Sequence, residues 1–514
     1  MKNFFLFETF LILILGGLTS LSLPPFNYFI INFFTFSIFF IFLFKRLNKQ
    51  ISKNFFFYYG WLFGFGFFLT SLYWITISLT FDKNLSFLIP ITLFLVPFFL
   101  ALFYGLVIFI FHLIRPKNIL SAFFLFSLLF GIIDFIRGII LSGFPWNLIV
   151  YSLSKNLNFI GIISVIGTYS LNLIVISLYI TPVFFILQRS RKQIIACIIL
   201  LILPIIFIFY GTFQKEEFLN KELKKNPYII RIIGSNISLE RFYSGTQTEN
   251  IINELIRISL PEEKKETFFV WPEGIIPNTY QDELDLFNDI IEENFSENHL
   301  IGLGITDRKI SDNDYKYYNS FSIFDNNLNL VDSYNKINLV PFGEFLPFEN
   351  IFNKIGLKPI TNKIGSFSRG NKRKIISLEN NNQKLKFLPL ICYEIIYSGN
   401  LTKNFDFDFI LNISEDGWFG KSIGPKQHFT HSVFRAIENG KYIIRSSNNG
   451  MAAIINPVGQ IEKKIDYGKS GFIDFEKRRD HHQTIFSIYG NKIFIILILL
   501  YIFLIFSFNR IKNE

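Results

Sequence analysis

The sequence predicts a multi-pass α-helical membrane domain of eight spans joined to an α/β domain outside the lipid. Three observations predict it. Residues 1 to about 210 are apolar runs broken by short polar joints. Residues 212–490 carry mixed charge and alternate between strand and helix patterns. A last apolar run, about 493–508, closes the chain. The expected domains are therefore 1–211, 212–490 and 491–514.

Composition bounds the rest. The chain has 514 residues, 50% of them hydrophobic and 18% charged. That excludes disorder, collagen-like repeats and a disulfide-stapled mini-protein. The 67 Phe residues, with abundant Ile, Asn and Lys, fit AT-rich codon usage and say little about function. A net charge of +10 on a soluble chain points to nucleic acid. Here the basic residues sit beside apolar runs, which points to membrane topology instead. Cys197 and Cys392 lie far apart in unlike surroundings, so no disulfide framework is expected.

The expected spans are roughly 4–22, 27–44, 55–79, 87–114, 119–140, 160–187, 194–210 and 493–508. Most reach the ~20 residues that cross a hydrocarbon core. The first carries Lys2 but lacks a small-residue cleavage site and is followed at once by more spans, so it reads as an anchor. Basic residues follow every second span: Lys45, Arg46, Lys49 and Lys53; Arg115 and Lys117; Arg189, Arg191 and Lys192; Arg510 and Lys512. The opposite joints are nearly neutral. The positive-inside rule therefore puts the even-numbered ends in the cytoplasm and residues 212–490 on the outer side.

Within the spans, Asp134 and Arg137 stand three residues apart in apolar sequence. Their expected role is an ion pair that fixes helix packing, with a lipid headgroup contact as the alternative. Gly60, Gly64 and Gly66 predict close helix packing. Pro24-Pro25 and Gly143-Phe144-Pro145-Trp146 mark breaks near the outer interface. Cys197, inside a span, is a packing residue.

In the outer domain, strands are expected near 228–234, 267–271, 299–305, 317–325, 385–391, 408–413, 441–446 and 451–456. Helices are expected near 246–259, 281–294 and 427–439. The alternation predicts a layered α/β sheet. The run Phe387-Leu388-Pro389-Leu390-Ile391 predicts a strand covered on both faces.

Reactive residues follow several strands directly: Glu273 after 267–271, Cys392 after 385–391, and Glu415-Asp416 after 408–413. Lys336 lies between the first two. Layered α/β sheets place ligands at strand carboxyl ends. A thiol is nucleophilic only as thiolate. Glu273 suits the general base that takes its proton. Lys336 supplies a fixed positive charge for an oxyanion. Together they suit acyl transfer through a thioester.

At these residues the sequence resembles the apolipoprotein N-acyltransferase family. WPEGIIP (271–277), YNKINLVPFGEFLPF (334–348), FSRG (367–370), LICYEIIY (390–397) and DGWFGKSIGPKQH (416–428) carry the likeness. GFGFFLTSLYW (64–74) and SGFPWN (142–147) extend it into the membrane half. The resemblance implies eight spans plus a nitrilase-like αββα sandwich of the carbon–nitrogen hydrolase type. It implies a triad of Glu273, Lys336 and Cys392, supported by Glu344, Tyr393, Glu394, Pro347, Arg369 and Trp418. It implies transfer of an acyl chain from a phospholipid such as phosphatidylethanolamine to the N-terminal amine of diacylated apolipoproteins. No cofactor, metal or nucleic acid is implied. The implied location is the bacterial inner membrane, with the catalytic domain on the periplasmic side. Phe242 stands about where the family has Trp. Glu415 stands where many members have Asn, a change expected to matter little.

Rival readings stand beside this one. His428 and His431 form an H-xx-H without an evident third ligand and read as structural. His481-His482, beside Lys477, Arg478 and Arg479, read as an interfacial basic patch. A membrane-anchored amidase of the nitrilase type would use the same triad on water. A transporter with an accessory domain would need more intramembrane polar groups than Asp134 and Arg137.

Overall fold

A computed structural model describes residues 2–47, 49, 52–187, 190–243, 247–311, 314–347, 366–380, 382–399 and 401–510. Arg189, Lys512, Phe348 and the 349–365 part of the Pro341–Gly370 segment lie outside the described residues. The chain forms two compact units: residues 1–80, 84–216 and 484–514, and residues 81–83 with 217–483.

The first unit is helical. Ile30–Leu47, Lys53–Thr80, Lys83–Ile114, Ile119–Arg137, Ile163–Ile186, Arg191–Leu219 and Lys492–Arg510 are long and apolar enough to cross a membrane. The shorter apolar helix Leu6–Ser22 occupies the place of the first expected span. The glycine expectation has a steric basis. A Cβ at Gly60 would meet the Tyr104 carbonyl oxygen at 2.4 Å, and one at Gly66 would meet that of Leu13 at 2.2 Å. Arg137 and Asp134 are buried. Arg137 Nη2 donates to Asp134 Oδ1 at 3.1 Å. Its Nη1 donates to the Phe144 carbonyl at 2.6 Å, and Asn172 Nδ2 donates to Asp134 Oδ2 at 2.9 Å. The pair fixes packing and holds the connection after its span.

The second unit is a two-layered β structure. Its described residues form twelve strands: β1 Leu223–Ser235, β2 Thr267–Val270, β3 His299–Ser311, β4 Asp314–Phe324, β5 Leu330–Asn335, β6 Ile376–Asn380, β7 Gln383–Ile391, β8 Phe409–Glu415, β9 Tyr442–Asn448, β10 Ala452–Ile455, β11 Ile461–Ile465 and β12 Gly471–Arg479. The order is β5-β4-β3-β2-β1-β9-β8-β7-β6, with β12 on β1 and β10–β11 on β9. The strands β1, β2 and β3 run parallel, as do β7, β8 and β9. The two halves pair where Gly234 and Ser235 meet Ser447 and Asn448.

The halves face each other. Their shared core contains Ile230, Phe268 and Phe321 from one and Phe387, Phe409 and Tyr442 from the other. Phe268 and Phe387 rings lie 5.8 Å apart. The opposite face of the first half packs Phe269 and Ile301 against Ile251 and Leu255 of the helix Thr248–Ser259. That helix turns an apolar stripe inward at i, i+3 and i+4 spacing. The helix Gly424–Asn439 flanks the second half, with contacts to β9 and β10. This is the expected αββα arrangement.

Four strands were not expected: β5, β6, β11 and β12. The 281–294 segment is a 3₁₀ turn, Gln281–Phe287, followed by a short helix, Asn288–Asn294. The basic patch also needs correction. Arg478 pairs with Asp408 at 2.8 Å. His481 packs its ring 5.8 Å from Phe218, and burial holds its imidazole at about 4.

Candidate active site

Two strand ends bring the reactive residues together. β2 ends at Val270, and the chain turns through Pro272, Glu273 and Gly274. A Cβ at Gly304 of β3 would lie 2.4 Å from the Glu273 Cα, so a glycine there lets the turn approach its neighbouring strand. β7 ends at Ile391, and Cys392 follows with φ of +48°. A non-glycine residue pays about 1–2 kcal/mol for that left-handed backbone. The surroundings hold it there. Glu394 Oε2 accepts the Ile391 N–H at 2.9 Å, and His428 Nε2 lies 3.3 Å from the Cys392 carbonyl oxygen.

Lys336 follows β5 and is buried. Its ammonium donates to Glu273 Oε1 at 3.0 Å and to Glu344 Oε1 at 2.8 Å. Asn319, on β4, is a second bridge between the same oxygens. Its Nδ2 donates to Glu273 Oε1 at 2.8 Å and to Glu344 Oε1 at 2.6 Å, and its carbonyl accepts the Lys336 backbone N–H at 2.8 Å. The other oxygens are also held. Glu273 Oε2 accepts the Glu415 N–H at 3.0 Å, and Glu344 Oε2 accepts the Val340 N–H at 2.8 Å. Each carboxylate therefore sits in a fixed orientation.

Charge follows from this geometry. Burial opposes the charge on Lys336, but the Glu273 and Glu344 carboxylates outweigh it and keep the ammonium protonated. Burial pushes the Glu344 carboxyl up, against the pull of Lys336 and with a push from Glu273. The Cys392 thiol is pushed well up, first by burial and then by the negative charge of Glu273. Lys336 pulls the other way without reversing it. The thiol therefore rests protonated beside a carboxylate and a cation.

Behind the thiol, Asp416 is fully buried. Arg445 Nη2 donates to Asp416 Oδ2 at 2.8 Å, Ser414 Oγ donates to Oδ1 at 2.7 Å, and His428 Nδ1 lies 2.9 Å from Oδ1. Burial alone would raise this carboxyl; Arg445 and His428 together hold it well below the usual range. The histidine thus links Asp416 to the Cys392 carbonyl.

Glu394 is also fully buried. It accepts from Tyr334 Oη at 3.0 Å, from the Ile337 N–H at 2.9 Å and from the Asn338 N–H at 3.1 Å, and it pairs with Arg373 at 2.6 Å. With its bond to Ile391, it ties the lysine loop to the cysteine turn.

The remaining expected residues are spread around this centre. Tyr393 is buried with its ring 5.6 Å from Tyr397. Pro347 ends the described part of the loop that carries Glu344. Arg369 is exposed, its guanidinium 5.4 Å from the Phe345 ring. Trp418 stacks on Phe242 at 5.8 Å and meets the edge of Phe81 at 5.8 Å. Glu415 does more than its substitution implied. Its side chain pairs with buried Arg241 at 2.6 Å, and Arg241 also donates to the Gly274 and Ile275 carbonyls at 3.1 Å each. Asn319, Arg241, Arg373 and Arg445 carry no local sequence signal.

The chain is similar to known proteins along most of its length. Residues 15–181 match the apolipoprotein N-acyltransferase N-terminal domain, and residues 246–477 match carbon-nitrogen hydrolase. An apolipoprotein N-acyltransferase of Rickettsia prowazekii is 33% identical over 98% of each chain. One from Agrobacterium fabrum is 28% identical over 97% of this chain and 96% of its own. Among solved structures, an amidase from Nesterenkonia sp. is 11% identical, with a TM-score of 0.36 over 53% of this chain and 96% of its own. Matched along almost its whole length by such relatives, the chain belongs to the apolipoprotein N-acyltransferase family.

Proposed function

We propose that this membrane enzyme moves an acyl chain from a phospholipid to the N-terminal amine of S-diacylglyceryl-cysteine on apolipoproteins. Cys392 carries the chain as a thioester. The observation that best supports the reading is the convergence of Glu273 and a protonated, left-handed Cys392, at the ends of the parallel strands β2 and β7, with Lys336 after the antiparallel strand β5.

The first half-reaction begins with Glu273 accepting the thiol proton as sulfur attacks the ester carbonyl. Lys336 faces the oxyanion that forms. The ester C–O bond breaks, Glu273 returns the proton to the departing oxygen, and a lysophospholipid leaves. In the second half, the lipoprotein amine attacks the thioester and gives its proton to Glu273. The C–S bond breaks, and the sulfur regains a proton. Concerted transfer suits this site, because burial disfavours a standing thiolate. Glu344 and Asn319 hold Lys336 and Glu273 in register. Glu394 positions both loops. Tyr393, Pro347, Arg369 and Trp418 shape the approach to the sulfur.

The proposed location is the bacterial inner membrane, with residues 212–490 forming the catalytic domain on the periplasmic side and residues 1–211 and 491–514 anchoring it. The alternating basic joints support that orientation. An acyl donor like phosphatidylethanolamine is the proposed substrate. The test uses phospholipid with a radiolabelled acyl chain and a diacylglyceryl lipopeptide. Label on the peptide amine supports the transferase. Label released as free acid, with the peptide unchanged, would favour a hydrolase.

A further inference from the structure

The membrane unit carries an open cleft of about 620 Å³, lined by none of the residues assigned to the proposed reaction. Its walls include Phe33, Val175, Leu178 and Ile208, and its lining also contains Lys155, Asn156 and Asn158. All the lining residues belong to the unit without Cys392.

The surrounding contacts explain why the space persists. The helix Arg191–Leu219 comes close to the 153–159 segment at one level. A Cβ at Gly211 would meet the Asn158 carbonyl oxygen at 2.0 Å, and the Phe159 and Phe207 rings lie 5.6 Å apart. Pro204, nearer the start of this helix, lacks the N–H of a normal turn, and only 22% of this span is buried. The opposite wall is fixed. The Tyr179 hydroxyl lies 2.7 Å from Ser152 Oγ, and its ring meets Phe33 edge-on at 5.0 Å. The helix is thus held close at Gly211, while most of its surface faces away from the rest of the unit. The volume falls within the ~300–1,000 Å³ of ordinary ligand sites.

The lining selects the occupant. Most of it is apolar, as hydrocarbon requires. Lys155 is exposed and is the only charged residue among those lining the cavity. The 153–159 segment joins two spanning helices, so this cation stands at a membrane surface. An apolar cleft ending in one lysine and two asparagine amides matches an amphiphile with a hydrocarbon tail and an anionic head. We infer that the cavity holds an acidic phospholipid, with one acyl chain against Phe33, Val175 and Ile208 and its phosphate at Lys155.

The test is native mass spectrometry of the full-length protein in mild detergent, titrated with phosphatidylglycerol or phosphatidylethanolamine. The wild type retains one phosphatidylglycerol at concentrations that leave phosphatidylethanolamine unbound. Lys155→Glu weakens that retention at least about fivefold, the worth of one basic residue at a charged lipid surface. Lys155→Arg keeps it. Leu157→Trp fills the cavity and loses it with the charge untouched. Lys155 is exposed, so its variants leave the core intact. Equal retention of phosphatidylglycerol by the wild type and both Lys155→Glu and Leu157→Trp would overturn the inference. So would equal retention of the two lipids, or no retained lipid.

Discussion

Lys336→Met removes one charge and little volume from the centre of the site. The ammonium it deletes is 1% exposed and touches two carboxylates at 3.0 and 2.8 Å. At an effective dielectric of ~20, each contact is worth roughly 6 kcal/mol of Coulomb energy. Most of that is offset, because the lysine no longer has to be desolvated. Breaking a buried pair by removing one partner costs about 3–5 kcal/mol net. The protein can recover part of it by protonating one carboxyl, and Glu344 is the candidate because burial already raises it. The sign follows. A carboxyl raised in the folded state adds stability below the ordinary carboxylate range and loses it as pH rises through the folded value. Without Lys336 that shift grows, so the variant is most stable in acid and weakens toward neutral pH. Catalysis is tested separately, through the rate of hydroxylamine-labile acyl-enzyme formation from phospholipid. Loss of one oxyanion partner costs ~10²–10³ in rate. Acylation within tenfold of wild type at neutral pH would refute the oxyanion role. A thermal destabilisation equal at pH 5.5 and pH 8 would refute the shared-charge account.

Asn319→Leu leaves Glu273 and Glu344 with one donor fewer each and frees both carboxylates to turn away from Lys336. Acylation should slow while the fold persists; an acylation rate like that of the wild type would deny Asn319 its positioning role. Glu394→Gln keeps the shape but strips the charge that faces Arg373, and should cost about 3–5 kcal/mol of stability; a melting temperature like that of the wild type would contradict it. Asp416→Asn tests the buried network behind the thiol. A carboxyl held below its unfolded value adds stability above the ordinary carboxylate range and loses it as pH falls through the folded value. The variant should therefore be less stable at neutral pH and show a flatter acid limb in thermal melts.

The sequence exposed the parts of this fold that obey short-range rules. β2, β8 and the last five residues of β7 are largely apolar runs buried on both faces, and each ends abruptly in a charged or reactive residue. That contrast made Glu273, Cys392 and Asp416 visible, and the flanking motif supplied Lys336. The missed strands lack the contrast. β11 is Ile-Glu-Lys-Lys-Ile with four exposed positions, and β5 begins with two exposed residues. Their pairing depends on the neighbouring strands β10 and β4. β12 is set by β1, more than 200 residues earlier. Asn319 was hidden for a related reason. An asparagine among tyrosines and serines has no local signature, and only the sheet register carries it to two carboxylates. Glu415 shows the converse. Its place in the motif was legible, but its ion pair with Arg241 depends on a turn 174 residues earlier.

The central claim is most directly tested by mass spectrometry of the purified full-length protein after incubation with phospholipid alone. The account predicts a single added acyl group, released by hydroxylamine, on the peptide that contains Cys392, and none in Cys392→Ser. An acyl group that persists on that variant, or free fatty acid released with Cys392 never modified, would contradict it.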